Sequence, residues 1–304
     1  MTALLRVATR GSALARWQAE RVVARLGVPA ELVIVSTTGD RDRTSALHAI
    51  GGTGVFVKEV QDAVTRGDAD LAVHSAKDLP AETPGRLVLA AVPERADARD
   101  AIVGSPLEGV PNGGVIATGS VRRRAQLAAA RPDLRFAELR GNVPTRVERA
   151  GEFDAIVLAV AGLERLGLAD RIAERLDPSL MLPMVGQAAI AVECRVDDAH
   201  ALDALAAIDD TAAHRAVDAE RAFLRTLGGG CTMPCAAHAS IAPDGTVWID
   251  ALLASLDGRT VLRAVESGPG ADAVGVTVAR AILDDLGGAA LLAAPVPPTP
   301  EPTP

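Results

Sequence analysis

Aromatic side chains are scarce in this chain: Phe, Trp and Tyr together make up 2% of 304 residues, and tyrosine is absent. That leaves no stock of rings on which nucleic-acid bases stack, and it forces an aliphatic core of Ala, Val and Leu. Basic charge is in deficit, since 31 Lys and Arg against 39 Asp and Glu give −8 with His neutral. A chain of that sign is ill suited to a nucleic-acid backbone or an anionic membrane as its main partner. Cysteine is sparse too. Cys194, Cys231 and Cys235 are too few for a disulfide framework and for a Cys-only zinc site, and no metal is expected. Long apolar runs are missing: nothing approaches the roughly 18 apolar residues of a membrane span. Residues 1–10 carry Arg6 and Arg10 where a signal peptide needs an apolar run. The cytoplasm is the expected compartment. What remains, 49% hydrophobic and 23% charged residues, is the balance of a globular protein. At about 150 residues per domain, it should hold two or three domains.

The first ninety residues alternate between strand and helix patterns. Residues 4–8 are apolar and end at Thr9-Arg10-Gly11-Ser12. Ser12 is placed to cap a helix whose apolar face is Ala15, Ala19, Val22, Val23 and Leu26. Residues 31–36, 70–74 and 87–92 read as strands and 55–66 as a helix. Between them 38–54 is polar and glycine-rich, the pattern of a long functional loop. After a charged connector, 93–100, strands at 115–118, 135–139 and 154–160 alternate with helices at 120–130, 143–150 and around 161–166. Such alternation implies two α/β domains of similar build, each a largely parallel sheet covered by helices. No sequence repeat relates them. The last third changes period. Pro243-Asp244-Gly245 and Leu256-Asp257-Gly258 are hairpin turns between strands at 239–241, 247–255 and 261–266, and 271–286 is a closing helix. Together they make a small α+β domain with an antiparallel sheet. The proline-rich tail, 295–304, has nothing to bury and is expected to be disordered.

Ligands of open α/β sheets gather beyond the carboxyl ends of strands, against helix N-termini that favour anions. This acidic chain sets basic groups at several such ends: Arg10 with Ser12, Lys77 beside Asp78, Ser120 with Arg122 and Arg123, then Arg140 and Arg146. Singly, each is as readily a solvated or paired cation. As a set they point to a ligand with several carboxylates or phosphates, gripped by guanidiniums. Asp78 reads either as a turn-capping carboxylate or as the group that moves protons and faces a cation. His74 is the second candidate base. Gly228-Gly229-Gly230-Cys231 sets a thiol on a sharp turn, suited to covalent use; the plainer reading is a flexible linker with small buried thiols. Gly51-Gly52-Thr53-Gly54 lacks the ending of a phosphate loop.

Taken in order, these motifs resemble the porphobilinogen deaminase (hydroxymethylbilane synthase) family. They run Ala8-Thr9-Arg10-Gly11-Ser12, Phe56-Val57-Lys58-Glu59, His74-Ser75-Ala76-Lys77-Asp78-Leu79-Pro80, Thr118-Gly119-Ser120-Val121-Arg122-Arg123 and Leu139-Arg140-Gly141-Asn142-Val143-Pro144-Thr145-Arg146. Leu158-Ala159-Val160-Ala161-Gly162-Leu163, Val185-Gly186-Gln187, Val192-Glu193-Cys194-Arg195 and Gly229-Gly230-Cys231 follow, so the match covers nearly the whole chain. Thr53 departs from the family pattern, which commonly has lysine there, and Cys235 stands where an aliphatic residue is usual.

The resemblance implies three domains: residues 1–95 with 188–207, residues 96–187, and residues 208–294. The first two would be periplasmic-binding-protein-like α/β folds with the active cleft between them. It implies a transferase of heme and porphyrin biosynthesis that joins four porphobilinogens head to tail into hydroxymethylbilane, releasing four ammonia. The cofactor would be dipyrromethane in thioether linkage to Cys231, with Lys77, Asp78, Ser120, Arg122, Arg123 and Arg146 around it. Arg10, Ser12, Arg140 and Gln187 would bind substrate. Asp78 would be catalytic, stabilising the cationic pyrrole left when ammonia departs. Loop 38–54 would cover the cleft, and the protein would be a monomer. Two rivals use the same residues: a non-catalytic two-lobed anion-binding protein, and a thiol enzyme with Cys231 as a transient nucleophile.

Overall fold

The computed structural model describes residues 4–41, 56–229 and 233–293. Most of the expected cover loop, Thr53 within it, the candidate thiol Cys231 and the tail 295–304 lie outside the described residues.

The first lobe holds β1 (Leu5–Arg10), α1 (Ala13–Val23), β2 (Ala30–Val35), a short α2 (Thr38–Arg41), α3 (Lys58–Thr65), β3 (Leu71–Ser75) and β4 (Leu87–Ala91). The second holds β5 (Asp100–Gly104), β6 (Val115–Ala117), α4 (Val121–Ala130), β7 (Arg135–Ala137), α5 (Val143–Glu148), β8 (Ala155–Ala159), α6 (Val160–Arg165) and β9 (Glu174–Arg175). The chain then returns to the first lobe as β10 (Ile190–Arg195) and α7 (Ala199–Ala206). Two five-stranded sheets result, ordered β2-β1-β3-β10-β4 and β7-β6-β8-β5-β9. The two α/β units expected from the alternation are present.

The sheets are less parallel than that alternation suggested. β1 is parallel to β2 and β3, and β6 to β7 and β8, but β10 and β5 each run antiparallel to both their neighbours. A parallel strand needs a crossover that carries the chain back to the start of the sheet. β10 and β5 have none, because each enters straight from the other lobe. Ile190 pairs with Ser75 at the end of β3, and Asp100 with Ala159 at the end of β8. Both crossings therefore pass the carboxyl ends of the strands, where a bridge between Arg95 and Ala189 joins them. The sequence reading placed 93–100 as connector, so it took in Asp100, the first residue of β5, and read no strand over Asp100–Gly104.

Serine caps set where helices begin. Ser12 accepts from the Ala15 amide at 3.3 Å and Ser120 from that of Arg123 at 3.5 Å. Such caps contribute about 1 kcal/mol each. Asn142 caps α5, with Pro144 in its first turn where a missing N–H costs nothing.

The third lobe packs α8 (Thr211–Thr226) and α9 (Ala271–Arg280) on one face of the antiparallel sheet β11 (Cys235–Ile241), β12 (Val247–Ala254) and β13 (Val261–Gly268), and ends in α10 (Gly288–Ala293). Phe223, Ile249, Leu253, Val278 and Ile282 fill this core. The helices cross so closely that a Cβ at Gly275 would lie 2.1 Å from the Ala219 carbonyl oxygen. On the other face Ala236 and Leu252 pack against Ala125 of α4 and Leu182. Buried Glu220 of α8 ties this lobe to both crossings. It accepts from Arg95 at 2.6 and 3.1 Å, from the Gly186 amide at 2.7 Å and from the Ala239 amide at 2.7 Å. Burial alone would raise its pKa, but Arg95 and His238, through their charges and hydrogen bonds, together outweigh that and hold it at about 2. Among the described residues no helix is long and apolar enough to cross a membrane.

Candidate active site

β3 ends in a 3-10 turn, Ala76–Asp78, because Leu79 precedes Pro80 and is held in extended backbone (φ −65°, ψ 142°). The return crossing lies on this turn backbone to backbone. The Ala76 amide donates to the Ala189 carbonyl at 3.0 Å. A Cβ at Gly186, whose φ is +70°, would sit 2.8 Å from the Ala76 carbonyl carbon. The turn that carries Lys77 and Asp78 is thus fixed from below by a glycine no larger residue could replace.

Lys77 reaches into a cleft between the lobes, whose other wall includes Arg123, Arg146 and the apolar stretch Leu158, Ala159, Ala161 and Gly162. Burial pushes its ammonium down to about 8, helped by Arg123 and opposed by Asp78 and Asp100. Arg146 is lowered to about 10, first by burial and then by Arg123, while Asp78 pulls the other way. Its Nε donates to the Gly141 carbonyl at 2.8 Å. The Asp78 carboxylate is therefore within electrostatic reach of cations from both lobes. It makes no hydrogen bond or ion pair among the described residues, so the turn-capping alternative does not occupy it. Arg140, beyond β7, has a buried Nη1 with no hydrogen-bond partner among the described residues. An orphaned donor of that kind is costly unless a ligand meets it.

Other residues singled out from sequence stand at the predicted strand ends but face elsewhere. Arg10, at the end of β1, lies over the Phe56 ring at 4.1 Å, and the Ser12 and Ser120 hydroxyls serve as caps. Arg122 and Gln187 are buried and turned toward Asp100: Arg122 Nη2 donates to it at 2.7 Å and Gln187 Nε2 at 3.0 Å. Arg123 joins them through Nε at 3.0 Å and Nη2 at 2.7 Å. Burial would raise the Asp100 pKa, yet Arg122 and Arg123 hold it at about 2. His74, the second candidate base, is turned into a closed cluster, 3.3 Å from Glu193, which also accepts from Gln61 at 2.8 Å.

Three polar residues of the cleft were not assigned to the site from sequence. Gln18 and Ser75 exchange hydrogen bonds at 2.8 and 3.1 Å. Gln18 had a signal, a polar residue on the apolar Ala15–Ala19–Val22 face. Arg165 donates to the Ala188 carbonyl at 2.7 Å and lies over Trp17 at 5.3 Å. Nothing local distinguished it from a surface arginine.

Two family models match the chain: "Porphobilinogen deaminase, dipyromethane cofactor binding domain" over residues 5–203 and "Porphobilinogen deaminase, C-terminal domain" over residues 214–284. A porphobilinogen deaminase of Syntrophobacter fumaroxidans is 44% identical over 293 residues, 92% of this chain and 94% of that protein. The chain belongs to the porphobilinogen deaminase family. Among solved structures it is similar to a double mutant of the VFT2 domain of Bordetella pertussis BvgS (17% identity, 72% of this chain and 91% of that one, TM-score 0.40). It is also similar to a periplasmic His/Glu/Gln/Arg/opine family-binding protein of Silicibacter pomeroyi (14% identity, 67% and 88%, TM-score 0.37).

The cleft fits the group named in the porphobilinogen deaminase cofactor-binding domain. A dipyrromethane with acidic side chains needs cations that are not already neutralised. Lys77 and Arg146 make no ion pair among the described residues, and the buried Arg140 donor has no partner. The apolar stretch from Leu158 to Gly162 offers a surface for pyrrole rings.

Proposed function

We infer that this chain is a hydroxymethylbilane synthase, which condenses four porphobilinogens head to tail and releases four ammonia. The observation that carries the reading is the cleft itself, where a Lys–Asp turn of one lobe faces guanidiniums of the other across an apolar floor. When attached through Cys231, dipyrromethane supplies a covalent pyrrole primer on which the chain is built and from which it is later hydrolysed.

The chain's own groups divide the remaining work. Lys77, Arg123 and Arg146 hold the carboxylates of the primer and of the porphobilinogen that joins it, and Ser120 fixes the helix start from which Arg122 and Arg123 project. Arg140 takes a substrate carboxylate with its unpartnered Nη1. Arg10 and Ser12, at the end of the strand beside β3, are assigned to substrate as well. Arg122 and Gln187 act through Asp100. Asp78 accepts the pyrrole N–H and stabilises the cation left on the incoming substrate when ammonia departs, then moves a proton; a carboxylate does this and an amide does not. The domain limits are taken as 1–95 with 188–207, 96–187 and 208–294, in keeping with β10 completing the first sheet. The working form is a cytoplasmic monomer with porphobilinogen as its small-molecule partner and no nucleic acid.

Intact mass tests this directly. The purified chain should exceed its polypeptide mass by two porphobilinogens less two ammonia, and Cys231→Ser should lose that excess. A bare wild-type chain that gains no mass on incubation with porphobilinogen, and consumes none, overturns the reading in favour of a non-catalytic anion-binding protein.

A further inference from the structure

Arg123 is one of the guanidiniums at the cleft wall, and most of it is already committed. Nε and Nη2 donate to Asp100 Oδ1, and Nη1 donates to the Val157 carbonyl at 2.9 Å. A guanidinium has five N–H groups. Three are used, and one is left on each terminal nitrogen, a fork that suits the two oxygens of a carboxylate. Arg122 differs. With its side chain 3% exposed, it gives Nη2 to Asp100 Oδ2 and Nη1 to the Leu182 carbonyl at 2.6 Å. It does not line the cleft. Gln187 braces Asp100 from the return crossing while its amide also donates to the Ala98 carbonyl at 2.7 Å.

We propose that Asp100 is a positioning residue. Anchored by Arg122 and Gln187, it holds Arg123 so that the last two N–H groups form a fixed fork for a pyrrole carboxylate in the cleft. Asp100 is fully buried and does not line the cleft; it acts through Arg123. It is the first residue of β5, immediately after the outgoing crossing, and Gln187 belongs to the incoming one. The fork is therefore set at the junction of the lobes. Without the carboxylate two buried guanidiniums lose their common acceptor, and Arg123 has only the Val157 carbonyl to direct it. A simple counter-charge would act with the opposite sign. Removing a negative charge beside the cleft would then draw a polycarboxylate in more tightly.

The inference rests on the proposed function, and its test separates the two. Full-length wild type and Asp100→Asn are compared by intact mass, by urea unfolding, and by KM and kcat for porphobilinogen on the fraction whose mass confirms loading. We expect the ratio of loaded to unloaded chain to fall roughly tenfold or more in Asp100→Asn. KM in its loaded fraction should rise by about the same factor, with kcat changed less than about threefold. Loading and KM equal to wild type, whatever the change in stability, overturn the positioning role, and so does a lower KM. If Asp100→Asn cannot be purified folded, Gln187→Met carries the test. It keeps both ion pairs and removes one bond to Asp100, so a KM about threefold higher supports the role and an unchanged KM overturns it. A wild-type chain that neither carries nor acquires the pyrrole mass is a different result, and overturns the functional reading itself.

Discussion

The two sheet lobes share a strand order but arm it differently. In the first, the central strand β3 ends in the turn with Lys77 and Asp78, while its counterpart β8 ends in Ala159 and the apolar Val160-Ala161-Gly162. The flanking strand β1 runs through a serine cap into α1, and β6 does the same into α4. Yet α4 opens with Val-Arg-Arg-Arg, two of whose cations are buried on Asp100, whereas α1 opens with Ala-Leu-Ala. Topology thus fixes where groups are presented, and side chains decide what is presented. The first lobe offers the Lys77–Asp78 turn, whose buried ammonium is pushed down to about 8 and so holds its proton loosely. The second offers fixed positive charge over an apolar floor.

That division of labour breaks most visibly at Asp78. Asp78→Asn should cut turnover roughly 10²- to 10⁴-fold while leaving the covalent pyrrole mass and the folding midpoint unchanged, since Asp78 bonds no described side chain. Across the cleft, Arg146→Met should instead raise KM about 10- to 100-fold with a much smaller change in kcat. Steady-state kinetics on both decide the matter: turnover retained in the first, or a loss confined to kcat in the second, would erase the distinction between the lobes.

A smaller effect sharpens the contrast between adjustable and fixed charge. Lys77 is protonated below about 8 and loses its charge as pH rises through that value. KM for porphobilinogen should therefore climb between roughly pH 7 and 9, by about tenfold at most, for the loss of one charge-assisted bond. Lys77→Met should show a high, flat KM across that window. A step that persists in the variant would assign the titration to another group.

The smallest expected effect concerns what the lobes have in common. Ser12→Ala and Ser120→Ala should each cost about 1 kcal/mol in urea unfolding, as lost caps do. Loss of pyrrole loading in either variant would show that its hydroxyl meets the ligand as well as the helix.

Much of this was legible in the residues. Strand and helix periods located most elements of both α/β lobes and the hairpins of the third, because burial on one face leaves a period in the sequence. The strand-end cations were legible for a related reason: a strand end followed by a helix cap is a local pattern, so Lys77, Arg123 and Arg146 were named before their meeting was visible. Asp100 was not. It is one acid in a charged connector, and its importance comes from partners 22, 23 and 87 positions away in sequence. β5 and β10 were not read as strands, and the sheets were therefore expected to be more parallel than they are; the direction of both depends on which end of a sheet the chain enters. Arg122 and Gln187 were named for the site, and the structure turns both onto Asp100.

By itself, then, the sequence determined the elements, the caps, the acidic balance, the ordered motifs that mark the family and the set of cations assigned to the cleft. Those are properties of short stretches, where side-chain period, backbone preference and residue chemistry act over a few neighbours. Only the tertiary structure decided which of those cations stay available. Burial and long-range pairing turned Arg122 onto Asp100, left Arg123 with two donors to spare, and set Lys77 against like charge so that its proton is held loosely. Each outcome depends on distances between segments that no local pattern encodes.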